Sequence, residues 1–194
     1  MKLVLCEGKD DKAVVEGLCI HASIGGLVVE EYDGRDNLER VVSSLPVRPE
    51  FTRRQVDSLA ILIDAEADGN ASFQKLQNAI RQGFDVVIPG AGVFVGESPR
   101  IAGFVVCDGT GRGMVEDLCL KSVNDRADYK CVEEYFECLC KNTERKDYHS
   151  KAKFKAWMAS QTAFDYRVGL AAAKGYIPWG SDAFNKLREF LGNV

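Results

Sequence analysis

The chain has 194 residues, 46% of them hydrophobic and 28% charged, with a formal net charge of −4. That length and apolar fraction suit one globular domain with a sizeable core. The negative balance excludes a general polyanion binder, so any nucleic-acid contact has to be a local basic face.

No stretch reads as a signal peptide or a membrane span, because the N-terminal apolar run Leu3–Cys6 is too short for either. The chain is expected to make no membrane contact. The seven cysteines, Cys6, Cys19, Cys107, Cys119, Cys131, Cys138 and Cys140, are odd in number and form no C-x-x-C pair. They read as reduced thiols in a cytoplasmic protein, most of them in apolar surroundings. Cys138 and Cys140 with His149 do not have the spacing of a common zinc site.

In chain order, Lys2–Cys6 reads as a short buried strand that runs into Glu7-Gly8-Lys9-Asp10-Asp11. A helix is expected from Asp11 to Ala22, with Val14, Val15, Leu18 and Cys19 on one face and Asp10 or Asp11 as N-cap. His21, at its end, reads as a surface residue. Gly25 and Gly26 break the helix, and Leu27–Tyr32 is the second strand. A helix over Asn37–Leu45 follows, then a loop with Arg48, Arg53 and Arg54, read as solvated in preference to phosphate-binding.

The third strand, Leu59–Ile63, leads into Asp64-Ala65-Glu66-Ala67-Asp68-Gly69. The next helix is expected over Ser72–Gln82, with Gly83 as its C-cap. Phe84–Ile88 suggests a further short strand, and Pro89–Gly103 a loop or irregular hairpin. Ile101–Cys107 is the last clear strand. It is followed by the glycine-rich Asp108–Gly113 and a helix from Met114 to Ser122. Glu116 and Asp117 fall in that helix's first turn, where the dipole alone favours them.

Beyond Val123 the pattern is helical, over Tyr129–Cys140, Ser150–Gln161 and Ser181–Leu191. Val132, Tyr135, Phe136 and Leu139 form the inward stripe of the first of these. Trp157 and Trp179 read as packing residues. Alternating strands and helices predict an α/β fold with a mainly parallel sheet covered on both faces. The expected organisation is a core over residues 1–123, with a helical extension over 124–194 packed on it.

The chemistry-bearing residues are Glu7 and the Asp64, Glu66, Asp68 cluster, at the ends of two expected strands. Open α/β sheets bind ligands beyond the carboxyl edge of their strands. Two crossovers between these strands let them be neighbours, so the carboxylates would converge at one edge. Closely spaced carboxylates repel, and a hard cation such as Mg²⁺ relieves that repulsion. An EF-hand is excluded, because its twelfth position is Lys75 and a strand precedes the loop. Gly109-x-Gly111-x-Gly113 lacks the third glycine of a dinucleotide fingerprint, since Met114 stands in its place, and no P-loop motif occurs.

The pair Leu5-Cys6-Glu7-Gly8 and Ile63-Asp64-Ala65-Glu66-Ala67-Asp68-Gly69 resembles the two motifs of the TOPRIM domain. That domain is shared by topoisomerases, bacterial primases and OLD-family nucleases. The likeness extends over roughly residues 1–120. Gly113–Leu118 and the later Lys151-Ala152-Lys153-Phe154 with Trp157 are similar to small stand-alone TOPRIM-like proteins near the OLD nucleases.

The resemblance implies a Rossmann-like three-layer fold. It makes Glu7 a metal ligand or general acid/base, and Asp64 and Glu66 the pair holding Mg²⁺ or Mn²⁺. Asp68 would add a water-mediated contact, and Glu116 with Asp117 a second metal position. Lys151 or Lys153 would neutralise charge on a phosphate. Glu66 departs from the family's Asp by one methylene.

A topoisomerase's tyrosine domain, a primase's partner domain and an OLD ATPase are not expected in 194 residues. The expectation is a compact metal-dependent nuclease acting on DNA or RNA. A separate ATPase or other protein partner and an oligomeric state are left open. The alternative is a non-catalytic TOPRIM-like module that binds nucleic acid or protein.

Overall fold

The computed structural model describes residues 1–144, 149–161, 171 and 174–194. Four strands, β1 (Lys2–Cys6), β2 (Leu27–Glu31), β3 (Ser58–Asp64) and β4 (Arg100–Val106), form one sheet in the order β2-β1-β3-β4. Every pairing is parallel, with Leu3 opposite both Val28 and Leu59, and Leu59 opposite Ile101. The fold is an α/β, Rossmann-like three-layer arrangement.

Strand alternation sorts the side chains into two cores. Leu3, Leu5, Leu59, Ile61, Ile63 and Ile101 face α2 (Leu38–Ser44) and α4 (Gly69–Phe84). Val4, Cys6, Ala60, Leu62, Ala102 and Val106 face α1 (Lys9–His21) and α5 (Val115–Lys121). That second core continues into α6 (Ala127–Asn142), α7 (Ser150–Ala159) and α8 (Asn185–Gly192), through Val132, Phe154, Trp157, Phe184 and Leu187. A four-residue helix, α3 (Pro49–Thr52), lies between α2 and β3.

The connections follow from handedness. From β1 the chain moves outward to β2 through α1 on one face. It then returns past β1 to β3 and on to β4, through helices on the other face. Right-handed crossovers that reverse direction must change face. The reversal lies between β1 and β3, whose carboxyl ends therefore open a crevice.

Several boundaries differ from the sequence expectation. Helix α4 starts at Gly69, with Asp68 as its N-cap, and runs through Gly83 to Phe84. Gly83 is a packing glycine rather than a cap: a Cβ there would stand 2.8 Å from the Val42 carbonyl oxygen of α2. The left-handed C-cap is Asp85, at φ +55°. Residues 84–88 form no strand, although Ile88 is buried beneath α4. In the loop before β4, Val95 makes an isolated antiparallel bridge with Ile101.

Helix α1 is capped at Gly8, and Asp11 instead accepts the Gly8 N–H at 3.0 Å. Tyr135 is 55% exposed, because Val132 and Phe136 already fill the inward face of α6. Of the cysteines, only Cys6, Cys19 and Cys119 are buried, while Cys107 and Cys140 are half-buried. Cys131 and Cys138 are exposed on α6, contrary to the expectation that most sit in apolar surroundings. No described helix is long and apolar enough to cross a membrane.

Candidate functional site

Glu7 follows β1 directly and Asp64 is the last residue of β3, so the strand reversal brings them to the same crevice. Along β3, Asp64 has the parity of Ala60 and Leu62, the face covered by α1 and α5. Asp64 is 7% exposed and its Oδ1 has no hydrogen-bond partner. Glu7 Oε2 and Glu116 Oε2 are likewise buried without a partner. Glu116, in the first turn of α5, is 3% exposed, with Lys151 Nζ 3.8 Å from its Oε1. Lys151 itself lies in the first turn of α7.

Asp11 completes the cluster from the first turn of α1. Burial, followed by the charges of Glu7 and Glu116, raises its carboxyl from 3.8 to about 7. Burial raises Asp64 well above the carboxylate range, reinforced by Asp11, Glu7 and Glu116. Glu7 and Glu116 also rise through burial. The Asp64 amide and the Arg35 guanidinium pull Glu7 back, and Lys151 does so for Glu116. Burial works to lower Lys151, but Glu116, Asp64 and Asp11 outweigh it and raise the ammonium. Four carboxylates thus share a poorly solvated crevice with one lysine.

The remaining expected ligands have other placements. Glu66 has φ +51° and leaves the strand's alternation. Its N–H and carbonyl both pair with Gly113, and its side chain, 52% exposed, stands 3.7 Å from Arg35. The Asp68 carboxylate accepts the N–H groups of Asn70 and Ala71, at 2.9 and 3.2 Å. That is the work of an N-cap. Asp117 accepts the Met114 N–H at 2.8 Å and also the Ser150 hydroxyl, which docks α7 onto α5. Lys153 lies one turn into α7 and is half-buried, next to the buried Phe154.

Sequence reading missed two residues of this site. Asp11 was visible only as a cap. Arg35 carried no motif, yet it donates to the Asp64 carbonyl at 2.9 Å and to Ser72 Oγ at 2.8 Å. Ser72 Oγ in turn donates to the Ala65 carbonyl at 3.0 Å. Arg35 and Ser72 therefore fix the backbone that presents Asp64. In the α2–β3 loop, Arg48 pairs with Glu30 at 2.8 Å, and Arg53 and Arg54 are exposed.

Among the described residues, no three His, Cys, Asp or Glu side chains stand together closely enough to hold a metal ion as placed. The donor chemistry nevertheless fits a hard divalent cation. The available atoms are carboxylate oxygens, three of them buried and unpaired. Gathering them on one ion requires carboxylate side chains to change rotamer.

Comparisons with curated proteins and with solved structures return no match. A family model described as a protein of unknown function, DUF3226, matches residues 1–194, and the chain belongs to that family.

Proposed function

We propose that this protein is a divalent-metal-dependent phosphodiesterase of TOPRIM type that hydrolyses nucleic acid, DNA or RNA. The observation that carries the reading is the set of unpartnered buried oxygens on Glu7, Asp64 and Glu116, around one sheet crevice with Lys151 at its edge. Buried polar atoms ordinarily find partners, and unpaired ones concentrate where a ligand belongs.

Asp64 and Glu116 would hold Mg²⁺ or Mn²⁺, with Glu7 as third ligand or proton acceptor. When bound, such an ion polarises a phosphoryl oxygen and lowers the pKa of its water. Lys151 balances the charge that develops on the phosphate. Asp11 keeps a proton more readily than an ordinary Asp and can return it to the leaving oxygen. Arg35 holds the Asp64 backbone still while the carboxylate adjusts.

The test is cleavage of labelled single- and double-stranded DNA and RNA with Mg²⁺ or Mn²⁺. Wild type should cut at least one substrate, and Glu7→Gln, Asp64→Asn and Glu116→Gln should each lose activity about 100-fold or more. Undiminished cutting by these variants would sink the reading. A second reading, a non-catalytic nucleic-acid- or protein-binding module, is favoured by the lack of three converged donors among the described residues. It predicts salt-sensitive binding without turnover.

A further inference from the structure

A second concavity lies beside the acidic crevice, across the β3–α4 turn. Asp64 begins that turn on the acidic side, while Ala67, Asp68 and Gly69 at its far end line a groove of about 850 Å³. That volume is in the range of small-ligand sites, roughly 300–1,000 Å³. The groove runs along the outer side of β4 at its carboxyl end, between the start of α4, the glycine-rich turn and the start of α8.

Its inner wall is apolar and aromatic. Phe73 from α4 and Phe104 from β4 both line the groove and are half-buried, on opposite sides of the edge strand, Phe73 with the α4 core and Phe104 with the α5 and α8 core. Phe104 is braced from behind by Phe190, with ring centroids 4.7 Å apart. Leu187 adds aliphatic surface.

The rim sets three cations, Arg112, Lys121 and Lys186, against three carboxylates. The carboxylates accept hydrogen bonds that orient them without removing their charge. Asp68 caps α4. Asp108 accepts both the N–H and the hydroxyl of Thr110 at 2.7 Å. Asp182 accepts from Asn185 at 2.8 Å. Lys121 donates to the Asp108 carbonyl at 3.0 Å. The side chains of Arg112 and Lys186 have no partner among the described residues. What remains uncommitted is the Phe73 ring and two cations, the combination that takes a base on one side and a phosphate on the other.

We infer that this groove holds one nucleotide of a single-stranded substrate next to the cleaved linkage, with its base on Phe73 and its phosphate on Arg112 and Lys186. The inference rests on the phosphodiesterase reading for its choice of ligand. Its binding step needs no metal, so the two can fail separately.

The experiment is fluorescence anisotropy of a labelled single-stranded oligothymidylate hexamer with the full chain in EDTA, over a salt series. Wild type should bind. Arg112→Gln with Lys186→Gln should weaken binding at least tenfold and flatten its salt dependence. Phe73→Leu, which keeps aliphatic bulk, should weaken binding about tenfold with the salt dependence unchanged. Arg53→Gln, at an exposed cation before the amino-terminal end of β3 and away from both concavities, should bind as wild type does.

Wild-type affinity in the double variant overturns the inference, as does the absence of wild-type binding. Self-association abolished by the double variant, without oligonucleotide affinity, assigns the groove to a second copy and also overturns it. Groove-dependent binding in a protein whose cleavage survives Glu7→Gln overturns the catalytic reading alone.

Discussion

Asp64 shows how one side chain can cost stability and serve chemistry. Its carboxylate is nearly buried and one oxygen is unpaired. Burial raises its carboxyl well above the ordinary range, so near neutral pH folding has to take up a proton there, at a cost that an amide does not carry. Asp64→Asn should therefore raise stability in EDTA by about 1 kcal/mol, read by chemical denaturation, while abolishing cleavage. A loss of stability would overturn this account of Asp64 as a destabilised buried carboxyl.

The same crowding fixes a pH dependence. Asp11 titrates at about 7 in the fold instead of 3.8, and Asp64, Glu7 and Glu116 shift the same way. Groups raised in the folded state favour folding most fully below their unfolded pKa. That advantage is lost as pH rises through the folded value. In EDTA the melting temperature should fall from about pH 5 to about pH 8, and saturating Mn²⁺ should reduce the fall because it binds the ionised forms.

At the scale of elements, the helices are placed by close contacts that few residues permit. A Cβ on Gly103 of β4 would meet Leu76 of α4 at 2.5 Å, and one on Gly17 of α1 would meet the Trp179 ring at 2.6 Å. Gly17→Ala should cost about 1–3 kcal/mol by overpacking, seen as a lower denaturant midpoint with an unchanged slope. Helix ends carry the site as well. Glu116 is held in the first turn of α5 by the same local device that holds Asp11 in α1. A carboxylate three residues in accepts the backbone N–H of the capping residue, Gly8 for Asp11 and Met114 for Asp117. Asp68→Ala should cost about 1 kcal/mol in thermal unfolding, through the lost α4 cap.

At the scale of the molecule, a cation that binds only the folded chain stabilises it by mass action. At about 100 times its Kd, Mn²⁺ should add about 2.7 kcal/mol, and Glu7→Gln with Asp64→Asn should abolish that gain in a thermal-shift titration.

The apolar runs of β1, β3 and β4, the faces of α1 and α4, and the carboxylates at two strand ends were all legible in the sequence. Each is a local pattern of period two or three to four, written in contiguous residues. Gly83 and residues 84–88 misled, because a glycine that admits a neighbouring helix and one that ends its own look alike in one dimension. The fates of Glu66 and Asp68 were equally hidden, since a left-handed φ and a cap are set by the turn around them.

Chain order and apolar patterning alone determined the parallel α/β architecture and the meeting of Glu7 with Asp64. Only the tertiary structure decided which carboxylates stay buried and unpaired. It drew Asp11 and Glu116 in beside Asp64, brought Lys151 to their edge and set Arg35 behind the strand. The physical reason is that desolvation and charge coupling depend on distance through space, and these residues are separated along the chain by tens of positions.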